Sequence, residues 1–595
     1  MQYKKFAARA MATVLAATLF LSACDSGDTT DDTTTAATTT TTTEAETDPV
    51  EEETDDTEDS ADTDEPADTE DTDEPSDTDE PSDTDEPADS EEPSDTEEEI
   101  DESELLESPD TYEPAEPVTI TYAGWENDLN FAIIADRFTQ RHPNISIERF
   151  ESNFVDEPEL TRLAAAGELP HVISINNIGL SARNGWLLDL SERFYNDPIA
   201  EQVSYDNIIQ SLEIMDRLYA LPTTIFFGGL VVNLDLLEAN NIPIPDYDWT
   251  VSEMADIIRD ATVRGESVGA MDLWFIYNWI PGSYEDDGVG RMFFNGDTKR
   301  FELGTAWEDL VNLYKELINS NVSVWEHADL IGLPWELDEG DPERAKQEDA
   351  RAALQIELYG STDHGWDIGR SAMAPWESHG MGWLENIPVY TGFEYDYYPY
   401  PKADDNDSEG IRPGLVTDLA GISTSATDVD AAWEFLKYIT FEGVGYLDRI
   451  EELYNYDRDA VIEKYDFSEE TIDGLPEDPA LLYQTQGPHM NQIPPSNTQI
   501  VLDAYKEFHP IGSPDATPGF NYQLDYIADG YLDLHRNQPG FNDGFGYIHN
   551  NLWNEVVWGT MAPADIAQEV EDGANAILDE WMAAIEEAIA LHEGD

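Results

Sequence analysis

The sequence predicts an α/β domain that follows an amino-terminal region without a core of its own. Between residues 118 and 175, three short segments show strand-like alternation of apolar residues, and the two segments between them show helical spacing. This order of elements is typical of a parallel sheet with helices on both faces. Residues 117–595 are numerous enough for two lobes.

Each of these elements has its own signals. Val118, Ile120 and Tyr122 alternate as a strand, and Asn127 or Asp128 is positioned to cap the helix that follows. The later elements are a strand from residue 145, a helix over 160–166 that stops at Gly167, and a strand over 172–175. Ligands of such sheets bind beyond the carboxyl ends of the strands, where Trp125, Asn176 and Asn177 fall.

Residues 1–24 have the pattern of a lipoprotein signal peptide. Three basic residues precede an apolar run over 10–21, which is too short for a transmembrane helix. Residues 21–24 read Leu-Ser-Ala-Cys, which looks like a bacterial lipobox with Cys24 as the lipidated residue. The alternative is that Cys24 belongs to a discarded signal peptide. Cys24 is the single cysteine, so disulfides within the chain are excluded.

Residues 25–116 predict an acidic, disordered linker. They hold 42 acidic residues and no lysine or arginine, and the unit Asp-Thr-Asp-Glu-Pro recurs from residues 62, 71, 77 and 83. Such a composition cannot bury enough apolar surface to offset chain entropy. We expect this linker to tether the folded domain away from a membrane.

The folded part is also strongly acidic. Setting aside the 42 linker acids and three leader bases leaves 88 acidic and 25 basic residues in 117–595, a net charge of −63. This surface repels nucleic acid and anionic membranes and disfavours polyanionic ligands.

Enzyme motifs are missing from the sequence. It contains neither a G-x-S-x-G elbow nor an H-E-x-x-H zinc helix, and carboxylate pairs carry no information in so acidic a chain. Residues 405–410 resemble the start of a calcium loop, but Val416 stands where that loop needs a glutamate. We therefore expect no catalytic residue, no metal and no cofactor.

Ten local patterns occur in one order along 117–595. They are AAGELPHV at 165–172, GWLLDL at 185–190, YALP at 219–222, GLVVN at 229–233, DWT at 248–250, SAMAPW at 371–376, YPYP at 398–401, GIS at 421–423, AAWEFL at 431–436 and WGTMAP at 558–563. In this order they resemble the extracellular solute-binding proteins of family 1, the sugar-binding components of ABC importers. His171 replaces the aspartate usual in the first pattern. The segments 326–352 and 441–515 depart from the family and are expected to be insertions.

The resemblance implies a two-lobed, type II periplasmic-binding-protein-like fold. Each lobe would be a sheet flanked by helices, with crossing hinge strands between the lobes. The expected boundaries for lobe 1 are 117–226 and 402–450, and for lobe 2 they are 228–400 with part of the carboxyl-terminal region.

The resemblance also implies a function. The chain would be a monomeric, lipid-anchored, extracytoplasmic receptor that binds a carbohydrate, an oligosaccharide in particular, and delivers it to ABC permease subunits. The alternative is a secreted carbohydrate-active enzyme or a carbohydrate-binding adhesin with an aromatic-lined cleft.

Candidate ligand residues follow from the same resemblance. Aromatic faces stack on sugar rings, and carboxylates and amides bind hydroxyls. The candidates are Trp125, Glu126, Asn176, Asn177, Trp274, Tyr277, Trp279, Tyr284, Trp376 and Asp418. Other interpretations stay open: tryptophans also fill cores, and asparagines also form turns.

Overall fold

The computed structural model describes residues 102–593, apart from short internal segments. Those segments are 151–155, 176, 285–288, 331–343, 381–391, 407–409, 466, 478–491, 509–517 and 536. The signal peptide, Cys24 and the linker up to residue 101 therefore lie outside the described residues, as does Asn176.

One mixed sheet forms the centre of the fold. Its order is β2-β1-β3-β10-β4-β8-β5, with β9 beside β4 and β11 beside β10. The strands are β1 Val118–Ala123, β2 Ile145–Arg149, β3 Val172–Ile175, β4 Leu221–Asn233, β5 Val268–Ala270, β6 Phe294–Asn295, β7 Arg300–Phe301, β8 Ser371–Glu377, β9 Tyr395–Tyr398, β10 Gly414–Ile422 and β11 Tyr531–Leu532. Strands β6 and β7 form a separate hairpin.

Helices cover this sheet. In the first part of the chain they are α1 Asp128–Arg141, α2 Glu157–Ala166, α3 Ile178–Arg183, α4 Ser191–Tyr195, α5 Ala200–Val203, α6 Asp206–Leu212, α7 Leu234–Ala239, α8 Val251–Asp260, α9 Phe275–Asn278, α10 Ile280–Tyr284, α11 Gly304–Asn319, α12 Trp325–Leu330 and α13 Arg344–Tyr359. They continue as α14 Val429–Ile439, α15 Gly443–Tyr454, α16 Arg458–Lys464, α17 Glu469–Gly474, α18 Gln499–Phe508, α19 Pro518–Leu524, α20 Phe541–Asn551 and α21 Pro563–Glu593. Among the described residues, none of these helices is long and apolar enough to span a membrane.

The predicted α/β unit at the start of the domain is confirmed. Strand β1 pairs in parallel with β2 and with β3, and α1 and α2 connect them. Asn127 is the N-cap of α1, because its side chain accepts a hydrogen bond from the Asn130 amide at 2.9 Å. Gly167 ends α2 with φ of +67°, a backbone conformation that glycine adopts without strain.

Two long strands join the halves of the fold. The first half of β4 pairs with β10, which in turn pairs with β3, and its second half pairs with β8 and β9. We call the half built on β1, β2 and β3 lobe 1, and the half built on β5 and β8 lobe 2. The shared strands β4 and β10 correspond to the predicted hinge strands, and the predicted two-lobed α/β class is confirmed.

The folded body begins earlier than the boundary predicted at residue 117. Residues 102–116 were expected to belong to the disordered linker, but they lie against lobe 1. Ser108 is buried, and its amide donates to Glu442 at 3.1 Å. The Val444 amide donates to the Leu106 carbonyl at 3.1 Å. These contacts give hydrogen-bond partners to backbone groups that, from the composition alone, we expected to be exposed to solvent.

Candidate functional site

Glu126 is the centre of a polar cluster at the carboxyl end of β1. Its side chain is 8 % exposed, and Oε1 accepts a hydrogen bond from the Tyr122 hydroxyl at 2.9 Å. Burial raises the pKa of Glu126, and the positive charge of Arg449 acts in the opposite direction. A Cβ atom at Gly124 would come within 2.3 Å of Oε2, so the glycine allows the carboxylate to lie against the backbone.

Asp418 lies beside this cluster on β10. It is opposite Thr224 of β4 in the register, where the β4–β10 ladder is irregular. Its negative charge raises the pKa values of both Glu126 and Tyr122, although burial is the larger cause for each. The structure therefore brings together Glu126 and Asp418, which are 292 positions apart in the sequence.

The other candidates in lobe 1 are placed differently. Trp125 is partly exposed and directly precedes Glu126, just beyond the carboxyl end of β1. Asn177 is exposed and caps α3, with Oδ1 accepting from the Leu180 amide at 2.8 Å. The sequence also allowed a turn-forming role for Asn177, and this role explains the hydrogen bond that its Oδ1 accepts. Asn176 lies outside the described residues.

In lobe 2, the carboxyl end of β5 presents Trp274. This residue is partly buried against the core. Beside it, Asp272 and Glu326 form an electrostatically coupled acid pair whose pKa values are both raised, mainly by burial. Glu326 accepts hydrogen bonds from the Leu273 amide at 2.6 Å and from the Ser323 hydroxyl at 2.5 Å. Glu326 is therefore held by lobe 2, although the sequence placed it in an insertion.

Trp376 lies near the end of β8, opposite Gly229 of β4. Its indole is partly exposed, and its carbonyl accepts a hydrogen bond from the Tyr397 hydroxyl at 2.8 Å. The backbone of Trp376 is thus fixed to the sheet beside the shared strands.

Two of the predicted aromatic contacts belong to the protein interior. Tyr277 is 4 % exposed, and its hydroxyl lies 3.0 Å from Nδ1 of His549. Trp279 is 1 % exposed and stacks on Tyr400 with ring centres 5.5 Å apart. A Cβ atom at Gly228 would come within 2.8 Å of the Trp279 ring. These rings fill the core, so we omit both from the proposed ligand set.

Tyr284 is partly exposed, and its hydroxyl donates to Asp309 at 2.9 Å. The hydroxyl of Tyr284 is thus hydrogen-bonded to a neighbouring helix of lobe 2.

Sequence reasoning missed two members of the lobe 1 cluster. Tyr122 was treated only as a buried strand position, although its hydroxyl binds Glu126. Arg449 lies in a segment without recognisable family patterns, so nothing local indicated that its positive charge acts on Glu126. Within the described part of the chain, no grouping of three or more His, Cys, Asp or Glu side chains could hold a metal ion.

The two lobes, their shared strands and the buried polar cluster define a two-lobed binding protein. The chain belongs to the bacterial extracellular solute-binding protein family, whose model matches residues 128–445, more than half of the sequence. This family consists of solute receptors and not of enzymes, and it functions outside the cytoplasm.

Solved structures show the same fold. An uncharacterized protein from Listeria monocytogenes EGD-e superposes with a TM-score of 0.52 at 15% identity, covering 77% of this chain and 99% of its own. The cyclic α-maltosyl-1,6-maltose binding protein from Arthrobacter globiformis has a TM-score of 0.50 at 14% identity, covering 78% of this chain and 100% of its own. At these identities the likeness establishes the fold.

Proposed function

We propose that this protein is the extracytoplasmic receptor of an ABC importer and binds a carbohydrate, in particular an oligosaccharide, between its lobes. The main support is the pair of acidic residues formed by the buried Glu126 and the partly exposed Asp418, beside a partly exposed tryptophan that follows β1. Carboxylates accept hydrogen bonds from sugar hydroxyls, and an indole face covers the apolar face of a pyranose ring.

In this proposal, both lobes contribute to the ligand site. Trp125, Glu126 and Asp418 act from the lobe 1 side, and Trp274 and Trp376 act from the lobe 2 side. Trp125 and Trp376 stack on the ligand from opposite directions, so the two rings bind it together only when the lobes close. Closure then gives the permease a shape that differs from the empty receptor.

A glycan panel tests the proposal. The mature chain is heated with and without neutral mono- and oligosaccharides, because a ligand that binds only the folded state raises the melting temperature. Each hit is then measured by calorimetry and incubated with the protein to look for products. We expect reversible binding without turnover. Product formation would support the carbohydrate-active enzyme instead, and a panel without a hit would contradict the carbohydrate assignment.

We also propose that Cys24 carries lipid and that the acidic segment after it tethers the domain to the membrane. The lipobox pattern and the charge of that segment support this proposal. Changing Cys24→Ser should release the protein from membranes in a fractionation experiment. Unchanged retention of the variant at the membrane would contradict lipid anchoring.

A further inference from the structure

The backbone beside Trp274 is held by a residue from much later in the chain. The amide of Leu273 donates a hydrogen bond to Oε1 of Glu326 at 2.6 Å. Both residues belong to the interior, since Leu273 is fully buried and Glu326 is 3 % exposed. Glu326 is thus bound to the residue that directly precedes Trp274.

The second oxygen of Glu326 is also bonded. Its Oε2 atom accepts from the Ser323 hydroxyl at 2.5 Å. The backbone between these two residues is tied to the end of β5, because the Val324 amide donates to the Met271 carbonyl at 3.4 Å. A carboxylate that is bonded through both oxygens, on a segment attached to the sheet, offers a fixed acceptor to Leu273.

Residues 273–278, which we call the Trp274 turn, need this acceptor. Within the turn, the Ile276 amide donates to the Leu273 carbonyl at 3.0 Å, and the Asn278 amide donates to the Trp274 carbonyl at 3.2 Å. The side chain of Trp274 does not cap α9. The turn therefore uses its own carbonyls, while Glu326 supplies the partner for the Leu273 amide.

The indole of Trp274 has a fixed neighbour as well. The guanidinium carbon of Arg291 lies 5.9 Å from the centre of the Trp274 ring. Arg291 is 3 % exposed, donates from Nε to Oδ1 of Asn278 at 2.6 Å, and forms an ion pair with the buried Asp533. The ring itself stays partly exposed. Trp274 is therefore held by its backbone and by one neighbour, with part of its surface open to a ligand.

A carboxylate as deeply buried as Glu326 costs free energy that an apolar side chain of similar size would avoid. Burial raises the pKa of Glu326, and the hydrogen bonds from Ser323 and from the Leu273 amide act in the opposite direction. Buried polar contacts whose hydrogen bonds are made give rigidity to the structure around them. The structure that Glu326 makes rigid is the Trp274 turn.

We propose that Glu326 is a positioning residue for ligand binding, which holds the indole of Trp274 in the orientation that stacks on a sugar ring. Glu326 acts through the Leu273 amide and does not itself contact the ligand. A side chain that is already held in its bound geometry loses less entropy when the ligand binds. This inference rests on the proposed carbohydrate site, because Trp274 is one of its members.

The experiment uses the full mature chain and the neutral glycan that the panel identifies. Glu326→Met keeps the length of the side chain and removes the acceptor. Glu326→Gln keeps an acceptor for the Leu273 amide and adds a donor for the Ser323 oxygen, so it is the conservative variant. Calorimetry measures Kd, and thermal melts establish which variants are folded.

Two double variants and a control show whether Glu326 acts through Trp274. Glu326→Met is combined with Trp274→Ala and, separately, with Trp125→Ala in lobe 1. Glu571→Met is the control, since Glu571 accepts from the Leu303 amide at 2.9 Å, an equivalent bond that does not involve the Trp274 turn.

We expect Glu326→Met to weaken binding by about 2- to 12-fold, the range for the loss of one hydrogen bond, and Glu326→Gln to restore wild-type affinity. In the Trp274→Ala background, Glu326→Met should have no further effect, because the ring that it positions is gone. In the Trp125→Ala background it should keep its full effect. Glu571→Met should bind like the wild type.

If Glu326→Met does not fold, Ser323→Ala gives the same test. This change removes the hydroxyl that fixes Oε2 of Glu326 and leaves the acceptor for Leu273 in place. We expect a smaller loss of affinity, which again disappears in the Trp274→Ala background.

Four results would overturn the inference while the carbohydrate receptor stands. They are wild-type affinity in Trp274→Ala, unchanged affinity in the folded variant of Glu326 or Ser323, equal losses from that variant with and without Trp274, and a Glu326→Gln variant as weak as Glu326→Met. A wild-type protein that binds no glycan would instead overturn the proposed function and this inference with it.

Discussion

The guanidinium of Arg183 lies 5.3 Å from the centre of the Trp581 ring, and this contact joins the two lobes. Arg183 ends α3 in lobe 1, and Trp581 belongs to α21, which packs on α11 of lobe 2. Nearby, the ring of Pro539 approaches Gly179 so closely that a Cβ atom there would lie 2.5 Å from it. Protein contacts outside the proposed ligand site therefore also stabilise this arrangement of the lobes.

Changing Trp581→Ala should weaken ligand binding without a direct ligand contact. An exposed cation–π pair contributes about 0.5–1 kcal/mol, so the loss should be about 2- to 5-fold in Kd if the pair stabilises only the closed form. Calorimetry measures the affinity, and small-angle X-ray scattering of the ligand-free protein should show a larger radius of gyration.

Trp558→Ala is the matched control for this prediction. Trp558 is 54 % exposed, and its ring contacts that of Trp553, a near neighbour in the chain. Equal affinities for Trp581→Ala and wild type would mean that the Arg183 contact does not influence closure.

Removing either proposed stacking ring should affect binding more than folding. We expect Trp125→Ala and Trp376→Ala each to lose about 1–3 kcal/mol of binding free energy, or about 5- to 150-fold in Kd. Both rings are partly exposed, so the denaturant midpoint should change little.

The buried Trp433 provides the comparison for these two variants. It is 6 % exposed, and a core Trp→Ala change costs about 3–5 kcal/mol of folding free energy. If Trp125→Ala and Trp376→Ala lose affinity only in proportion to stability, as a core variant would, then neither ring contacts the ligand.

The sequence predicts local structure well where its signals are local. The Asn127 cap and the three parallel strands follow from residues close together in the chain. The pairing of β10 with β3 joins residues more than 240 positions apart, so no local pattern indicates it. For that contact, only the resemblance to a family carried information.

The candidate site shows the same limit. Aromatic residues at Trp274 and Trp279 have similar sequence surroundings, yet Trp279 is buried because Gly228 and Gly414 leave room for its ring. Arg449 escaped prediction because it and its partner Gln492 both lie in a stretch of the sequence with no recognisable family pattern. Whether a side chain faces ligand or core depends on such distant neighbours.

Stability should depend on pH through Glu442. Burial raises its pKa to about 8, although Lys437 lies 3.6 Å away and acts in the opposite direction. Because the folded state holds this proton more tightly than the unfolded state, the stabilisation is complete below the ordinary carboxyl range and is lost as pH rises toward 8. The slope for one proton is about 1.4 kcal/mol per pH unit.

Glu442→Gln isolates this effect, since the amide resembles the protonated acid and cannot titrate. Urea unfolding at several pH values should show wild type losing stability relative to the variant between about pH 5 and pH 8. Parallel curves for the two proteins over this range would show that Glu442 does not carry the proton.

Residues 102–116 should contribute to stability even though their composition is that of a linker. A chain that begins at residue 117 loses the Ser108 donor to Glu442 and the Asp110 carbonyl that accepts from Lys437 at 2.9 Å. Leaving these buried polar groups without such partners costs about 1–3 kcal/mol each. A chain that begins at residue 102 keeps both contacts and should have the same melting temperature as the mature protein. The chain that begins at residue 117 should have a melting temperature several degrees lower. If the two truncated chains have equal melting temperatures, the contacts of this segment add nothing to the stability of the fold. The stable domain then begins at residue 117, as the sequence predicted.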